Sequence, residues 1–144
     1  MENLMINNYK TEIKYAGDEM FVGTSASGHS QIIDTKGDNK TAASPVELLL
    51  IAVGSCTAID VVSILKKKRQ IITDYKVELT GARRDEHPRS FTKINIHHIV
   101  YGRSVSEKAV ADAIELSDTK YCSVADTLKP KVEITTSFEI IEVE

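Results

Sequence analysis

Cysteine is scarce in this chain, which has only two among its 144 residues, Cys56 and Cys122. They lie too far apart in the sequence to form a CxxC motif or a zinc knuckle. The first ten residues, M-E-N-L-M-I-N-N-Y-K, lack the basic segment and apolar core of a signal peptide. We therefore predict that both thiols are kept reduced in the cytoplasm, where a disulfide between them would be transient and catalytic rather than a permanent crosslink.

Other absences narrow the function classes. No GxGxxG, P-loop, HExxH or GxSxG pattern occurs, so the usual signs of nucleotide binding, zinc proteolysis and serine hydrolysis are missing. The net charge is -3, and the basic clusters are short and scattered, so we expect no nucleic-acid partner. The uncharged run 48–59 is shorter than the roughly 20 apolar residues of a membrane span, so we expect no membrane partner either.

The chain has the length and composition of one globular domain, which we predict to cover 1–144. Apolar residues make up 42% of the sequence and charged residues 27%, as is typical of folded proteins. The residue patterns predict three short strands, a long helix, two strands, one or two helices and a last strand, at 9–15, 20–23, 31–34, 44–69, 74–80, 91–100, 104–121, 123–128 and 132–140. Neighbouring strands are mostly joined by hairpins in this order, so the predicted fold class is α+β with N-terminal antiparallel strands.

The long helix has a clear beginning and end in the sequence. Ser44 is a good N-cap, Pro45 suits the first helical position, and Glu47 completes an S-x-x-E capping box. The positive charges at 66–69 suit the negative end of the helix dipole. Because the capping role explains Glu47 fully, we favour it over an acid–base role for this residue.

The first half of this helix has no polar face. Every side chain from 48 to 53 is apolar, so the helix must be covered on all sides, and a second subunit could complete that cover. Gly54 would let another backbone approach the helix closely.

Cys56 has two interpretations. A cysteine in an apolar helix is commonly an inert core residue. Its neighbours, however, turn polar abruptly in the string S-C-T-A-I-D, which favours a reactive thiol. Asp60 lies one turn further on, where a carboxylate disfavours a neighbouring thiolate unless a cation intervenes.

Cys122 directly precedes the sequence S-V-A-D, which resembles the start of a short helix. The amide groups and dipole at such a helix start would favour a thiolate. The alternative is a cysteine that merely packs at a helix junction. Cys56 and Cys122 can form one thiol site only if the fold brings their Cα atoms within about 7 Å.

The spacing of the histidines does not indicate a metal site. His97 and His98 are neighbours on a strand, so one should point to each side of the sheet. The inward one has no Cys or His partner at ligand spacing, so it is better explained as a core residue than as a ligand. We expect no bound metal or cofactor.

Two segments of the chain carry a recognisable pattern. The first is S-P-V-E-L-L-L-I-A-V-G-S-C-T-A-I-D-V-V-S-I-L, a capped helix with a cysteine nine residues after its glutamate, and the second is K-Y-C-S-V-A-D-T-L. Together they resemble the OsmC/Ohr family, in its OsmC-like branch, and the resemblance extends over most of the chain as far as Phe138.

The resemblance implies an OsmC-like fold in an intertwined homodimer, with N-terminal strands paired across subunits and cysteine helices buried at its centre. It also implies thiol-dependent peroxidase activity on organic hydroperoxides, of use against oxidative stress. In that chemistry the Cys56 thiolate attacks the peroxide oxygen and becomes a sulfenic acid. Cys122 condenses with it to a disulfide, which an external dithiol reopens.

Two family features are missing. The characterised peroxidases have a glutamate ten residues before the first cysteine, where this chain has Val46, and an N-terminal arginine, whereas the first arginine here is Arg69. Other groups would then have to form the thiolate environment. The candidates are Glu47, Asp60, Arg83, Arg84 and Arg89, with Lys36 and Lys40 in the loop before the helix.

These departures leave a second function hypothesis open. The chain could be a non-catalytic protein that binds a small apolar ligand or a thiol compound in an interfacial pocket. A third possibility is a redox sensor whose cysteines only oxidise under stress.

Overall fold

The computed structural model of the chain describes residues 9–144, with Asn39 described by its backbone only. The expected absence of a signal peptide rests mainly on residues 1–8, which lie outside this part. The described residues divide into two compact units, one ending at Leu49 and the other beginning at Leu50. Each unit is described separately.

The N-terminal unit is built on a three-stranded antiparallel sheet. Its strands are β1 (Thr11–Gly17), β2 (Met20–Ser25) and β3 (Ser30–Asp34), in the order β1-β2-β3. The three predicted strands are confirmed, each with bounds that differ by a few residues. The polar segment after β3 contains one 3-10 turn, Gly37–Asn39.

Asp34 fixes the loop that follows β3. Its carboxylate is buried and accepts hydrogen bonds from the amide nitrogens of Lys36 at 2.9 Å and Thr41 at 2.8 Å. Burial alone would raise the pKa of Asp34, but these amide donors and the Lys36 ammonium group hold the pKa at about 2. The carboxylate therefore stays charged and ties the loop together just before the long helix begins.

The long helix, α1 (Pro45–Lys67), begins where the sequence predicts and ends two residues before the predicted end. Ser44 Oγ accepts from the Glu47 amide at 3.4 Å and donates to the Glu47 carboxylate at 2.9 Å. Lys66 and Lys67 lie in the last turn, next to the negative end of the helix dipole.

The C-terminal unit contains the rest of α1 and a second three-stranded sheet. The strands are β4 (Ile71–Arg83), β5 (Phe91–Arg103) and β6 (Glu133–Glu142), in the order β4-β5-β6. β4 and β5 form the expected hairpin, whereas β6 runs parallel to β5. A parallel pair needs a crossover connection, and the two shorter helices supply it.

That crossover departs from the predicted helix at 104–121. It consists of α2 (Glu107–Leu116), a π-helical turn (Ser117–Tyr121) and α3 (Ser123–Leu128). The helix therefore widens for one turn at Ser117 instead of continuing regularly to Tyr121. The short third helix is confirmed.

One core cluster joins α1, β5 and α2. Its members are buried aliphatic side chains that repeat at helical spacing on α1 and α2 and meet Val100 of β5: Val61, Leu65, Val100, Ala109, Val110, Ala113 and Ile114. This packing holds the second half of α1 against β5 and α2.

Much of α1 stays uncovered within the single chain. Only 28% of its most apolar 18-residue window is buried, and Ile51 and Ile59 are 58% and 70% exposed. By length and composition the helix could cross a membrane, although core helices of other folds meet the same criteria. The space at Gly54 is taken by the side chain of Leu79 on β4 and not by another backbone, which corrects the expectation for this glycine.

Candidate functional site

The structure brings the two cysteines together. Cys56 lies half-buried on α1, and Cys122 lies between the π-helical turn and α3 with 3% of its surface exposed. Both are free thiols. The pKa of Cys122 is raised to about 11, chiefly by burial, and the neighbouring Cys56 thiol and the Asp60 carboxylate act in the same direction, against one backbone hydrogen bond at Ala125.

Of the two interpretations of Cys122, the structure favours the packed cysteine over the thiolate. A helix does begin after Cys122, and the backbone there lowers its pKa, but α3 has only six residues. Burial of the sulfur outweighs this contribution, because transfer out of water disfavours the charged form. Cys122 is a thiol at neutral pH.

A chain of polar side chains lies beside the two thiols. Ser117 Oγ donates to Asp60 Oδ2 at 2.9 Å and lies 2.9 Å from Thr57 Oγ1. Ser117 has a single hydroxyl proton, which goes to Asp60, so Thr57 donates to Ser117. Thr57 and Ser117 are buried, and the polar string around Cys56 is the signal that could have pointed to Thr57. Nothing in the sequence marks Ser117.

Of the other candidates for the thiolate environment, Glu47 has a structural role. It closes the capping box with Ser44, and its carboxylate also pairs with Lys40. Lys36 pairs with Asp18 at 3.0 Å and with Asp34 at 3.4 Å. These charges are thus engaged within the N-terminal unit.

The three arginine candidates lie at the tip of the β4–β5 hairpin. Arg83 Nε donates to the Arg89 carbonyl at 2.6 Å, and Arg89 Nε to the Arg84 carbonyl at 3.4 Å. Arg84 lies 3.9 Å from Glu86. Within the described residues these side chains bind their own hairpin, and a role for them toward Cys56 stays a prediction.

The two neighbouring histidines lie on opposite sides of β5, as predicted. His97 is on the polar side and contacts Ser137 at 2.8 Å and Glu139 at 3.2 Å. His98 is fully buried, and its Nδ1 lies 2.5 Å from the Tyr75 hydroxyl, while Nε2 has no partner in the described part of the chain. Among the described residues no group of three or more His, Cys, Asp or Glu side chains could hold a metal ion.

A groove of about 400 Å³ starts at Asp60. Its walls combine apolar side chains with two lysines at one end: Ile59, Ser63, Ile64, Lys67, Lys68, Leu116 and Tyr121 complete the lining. Because the Asp60 carboxylate also binds Ser117, the groove begins next to the polar chain described above. Neither cysteine is among its lining residues, so within the described part of the chain the groove and the thiols are linked only through Asp60, whose carboxylate acts on the pKa of Cys122.

Comparison with known proteins identifies the family. Residues 37–137 match the family model described as OsmC-like protein. Protein YhfA of Escherichia coli K12 is 49% identical over 132 residues, which cover 92% of this chain and 98% of that protein.

Two solved structures share the fold. A hypothetical protein from Aquifex aeolicus is 37% identical, with a TM-score of 0.82 over 94% of this chain and 97% of its own. An organic hydroperoxide resistance protein from Elizabethkingia anophelis has a TM-score of 0.70 at 14% identity, over 92% of this chain and 96% of its own, and shares the fold alone. From the family model, the identity to YhfA and this architecture together, the chain belongs to the OsmC family.

Proposed function

We propose that the protein is a thiol-dependent peroxidase that reduces organic hydroperoxides. The observation that carries this proposal is the proximity of two free thiols, Cys56 and Cys122, which are remote in sequence but close enough in the fold for Cys56 to affect the pKa of Cys122. In an OsmC-family protein such a pair suits a cycle in which one sulfur is oxidised and the other closes a disulfide.

The two cysteines have different surroundings, which supports a division of roles. Cys56 is half-buried, whereas Cys122 is 3% exposed and has its pKa raised to about 11 by burial. Cys56 is then the sulfur that attacks the peroxide. It is oxidised to a sulfenic acid, and the alcohol is released. Cys122 attacks that sulfenic acid, and the new disulfide forms with loss of water.

The substrate is proposed to be an apolar hydroperoxide. The groove that begins at Asp60 continues over Ile59, Ile64 and Leu116, so an alkyl or aryl group would find apolar contacts there. The fold is shared with a solved organic hydroperoxide resistance protein, which agrees with this substrate class. An external dithiol, as the terminal reductant, would reopen the disulfide.

We further propose that the protein works as a homodimer in the cytoplasm, with residues 1–144 as one OsmC-like domain. The family model crosses the boundary between the two compact units, which supports one domain. Ile51 and Ile59 are more than half exposed on α1, as are Ile13 and Tyr15 on β1. Apolar surfaces of this kind are better explained as contacts with a second copy of the chain than as surfaces exposed to water.

The test is a single-turnover assay with reduced protein and cumene hydroperoxide. We expect Cys56→Ser to consume no peroxide, and Cys122→Ser to accumulate a sulfenic acid on Cys56 that dimedone labels. Thr127→Val is a matched control, because it removes an exposed hydroxyl that bonds only within α3. If Cys56→Ser consumed peroxide as fast as the wild type, the proposal would be ruled out.

A second candidate function is supported by the missing activating pair. Val46 occupies the position of the family glutamate, and no arginine precedes Arg69. A binding or redox-sensing protein needs no fast peroxide step, so it would tolerate this loss. Thiol titration after addition of a lipid hydroperoxide separates these functions: rapid loss of two thiols per chain supports the enzyme, slow loss supports a redox sensor, and unchanged thiols support a binding protein.

A further inference from the structure

Ser117 connects the helix that carries Cys56 with the turn that carries Cys122. Its hydroxyl donates to Asp60 and accepts from Thr57, both at 2.9 Å, and both partners belong to α1. Thr57 directly follows Cys56 in the chain. The exposed fraction of Ser117 is zero and that of Thr57 is 4%, so water does not compete for the hydrogen bond between these two hydroxyls, whereas the bond to Asp60 is only partly buried.

The backbone of the same residue holds Cys122. The Ser117 carbonyl accepts from the Cys122 amide at 2.8 Å, which closes a π-helical turn over Ser117–Tyr121. Ser117 thus binds α1 through its side chain and Cys122 through its backbone. π-helical turns are rare and frequently lie at functional sites, so this one invites a functional explanation.

We propose that Ser117 is a positioning residue that holds the Cys122 thiol against the Cys56 thiol, so that their disulfide forms readily. This inference rests on the proposed function, because it assigns Ser117 to the disulfide step of that cycle. Ser117 touches neither the peroxide nor a reacting sulfur in this role. It restricts the conformations of the dithiol form, so less conformational entropy is lost when the disulfide closes.

The quantity that reports such positioning is the equilibrium between the thiol pair and its disulfide. In the reaction with dithiothreitol, the Cys56–Cys122 disulfide is reduced to two thiols while dithiothreitol closes to its cyclic disulfide, so two electrons and two protons pass to the protein. The equilibrium constant measures the effective concentration of one protein thiol at the other. Hydrogen bonds that pre-arrange the thiols favour the disulfide.

The experiment measures this equilibrium by mass spectrometry after acid quenching, on the full chain and without peroxide. We expect Ser117→Ala, which removes both hydroxyl bonds, to shift it about tenfold toward the dithiol, the factor that a net buried hydrogen bond commonly contributes. For a two-electron couple this corresponds to about 30 mV. Thr57→Val keeps the side-chain shape and loses one bond, so it should shift the equilibrium in the same direction by a smaller factor.

Two controls separate positioning from general stability. Thr57→Ser keeps the hydroxyl donor and should have the wild-type equilibrium. The Thr127 hydroxyl bonds only to the Ser123 carbonyl, at 2.7 Å, so Thr127→Val should leave the equilibrium unchanged. A merely structural role of Ser117 would lower the unfolding free energy equally in the reduced and oxidised forms, and would leave the redox equilibrium where it was.

The outcomes also separate this inference from the proposed function. A disulfide in Ser117→Ala with an equilibrium within twofold of the wild type overturns the positioning role and leaves the peroxidase intact. If the equilibrium is shifted in Ser117→Ala but the wild type consumes no peroxide, the positioning role is supported and the peroxidase proposal is overturned. Absence of any Cys56–Cys122 disulfide in the wild type overturns both.

Discussion

The buried His98 should make the protein lose stability in mild acid. Burial, with a smaller contribution from the neighbouring charge of His97, lowers the pKa of His98 from 6.5 to about 4. Because the folded state binds the proton more weakly than the unfolded state, stability is complete above pH 6.5. It is lost as the pH falls toward 4, and it does not change further on this account below that pH.

The size of the effect follows from the two pKa values. Each pKa unit between the folded and unfolded states corresponds to 1.36 kcal/mol, so the drop from 6.5 to about 4 removes about 3 kcal/mol. His98 is fully buried, so solvent screening calls for no large discount. That is a considerable part of the 5 to 15 kcal/mol typical of a folded domain, in order of magnitude.

The assay is urea unfolding at pH 7 and pH 4.5, at one fixed protein concentration. The double variant His98→Leu/Tyr75→Phe removes the titrating ring without leaving its hydroxyl partner unpaired, and should lose most of the difference between the two pH values. His97→Gln, on the polar side of the same strand, is the control and should keep it. Equal acid sensitivity of the wild type and the double variant would refute the reasoning.

Four further outcomes are expected. Gly102→Ala should cost at least about 2 kcal/mol of unfolding free energy by urea titration, because an added Cβ would lie 2.1 Å from the Ile71 carbonyl oxygen. Gly54→Ala should cost much less, since its Cβ would meet only the end of a flexible leucine side chain, at 2.6 Å, and alanine favours the helix by about 1 kcal/mol; a larger loss than in Gly102→Ala would contradict this. Asp34→Asn should abolish the separate acid step that its lowered pKa of about 2 places between pH 3.8 and 2, seen by circular dichroism. Ile59→Glu should convert the proposed dimer into monomers in light scattering, and an unchanged mass would argue against α1 as the interface.

The sequence predicted most of what local residue chemistry determines. The bounds of α1 follow from Ser44, Glu47 and the lysines at its end, whose effects act within one helical turn. The β4–β5 hairpin follows from alternation of apolar and polar side chains on both strands. The opposite orientation of His97 and His98 follows from the same two-residue period.

The site was predictable only in part. The two cysteines could be named, and the family resemblance paired them, but their surroundings depend on contacts between distant segments. Ser117 leaves the regular helix because its hydroxyl binds residues about sixty positions earlier, and the local pattern of 104–121 continues as an ordinary helix. The acidity of Cys122 likewise depends on burial by the finished fold, which outweighs the local helix start.

The widened turn at Ser117–Tyr121 has an evolutionary consequence. A regular α-helix advances about 100° per residue, so loss of one residue from this turn would rotate everything after it by about that angle. A descendant with such a deletion would still contain both cysteines, but the second sulfur would no longer point toward the first. Among related genes, the length of the stretch before the second cysteine would therefore be a better guide to retained redox chemistry than the presence of the cysteine itself.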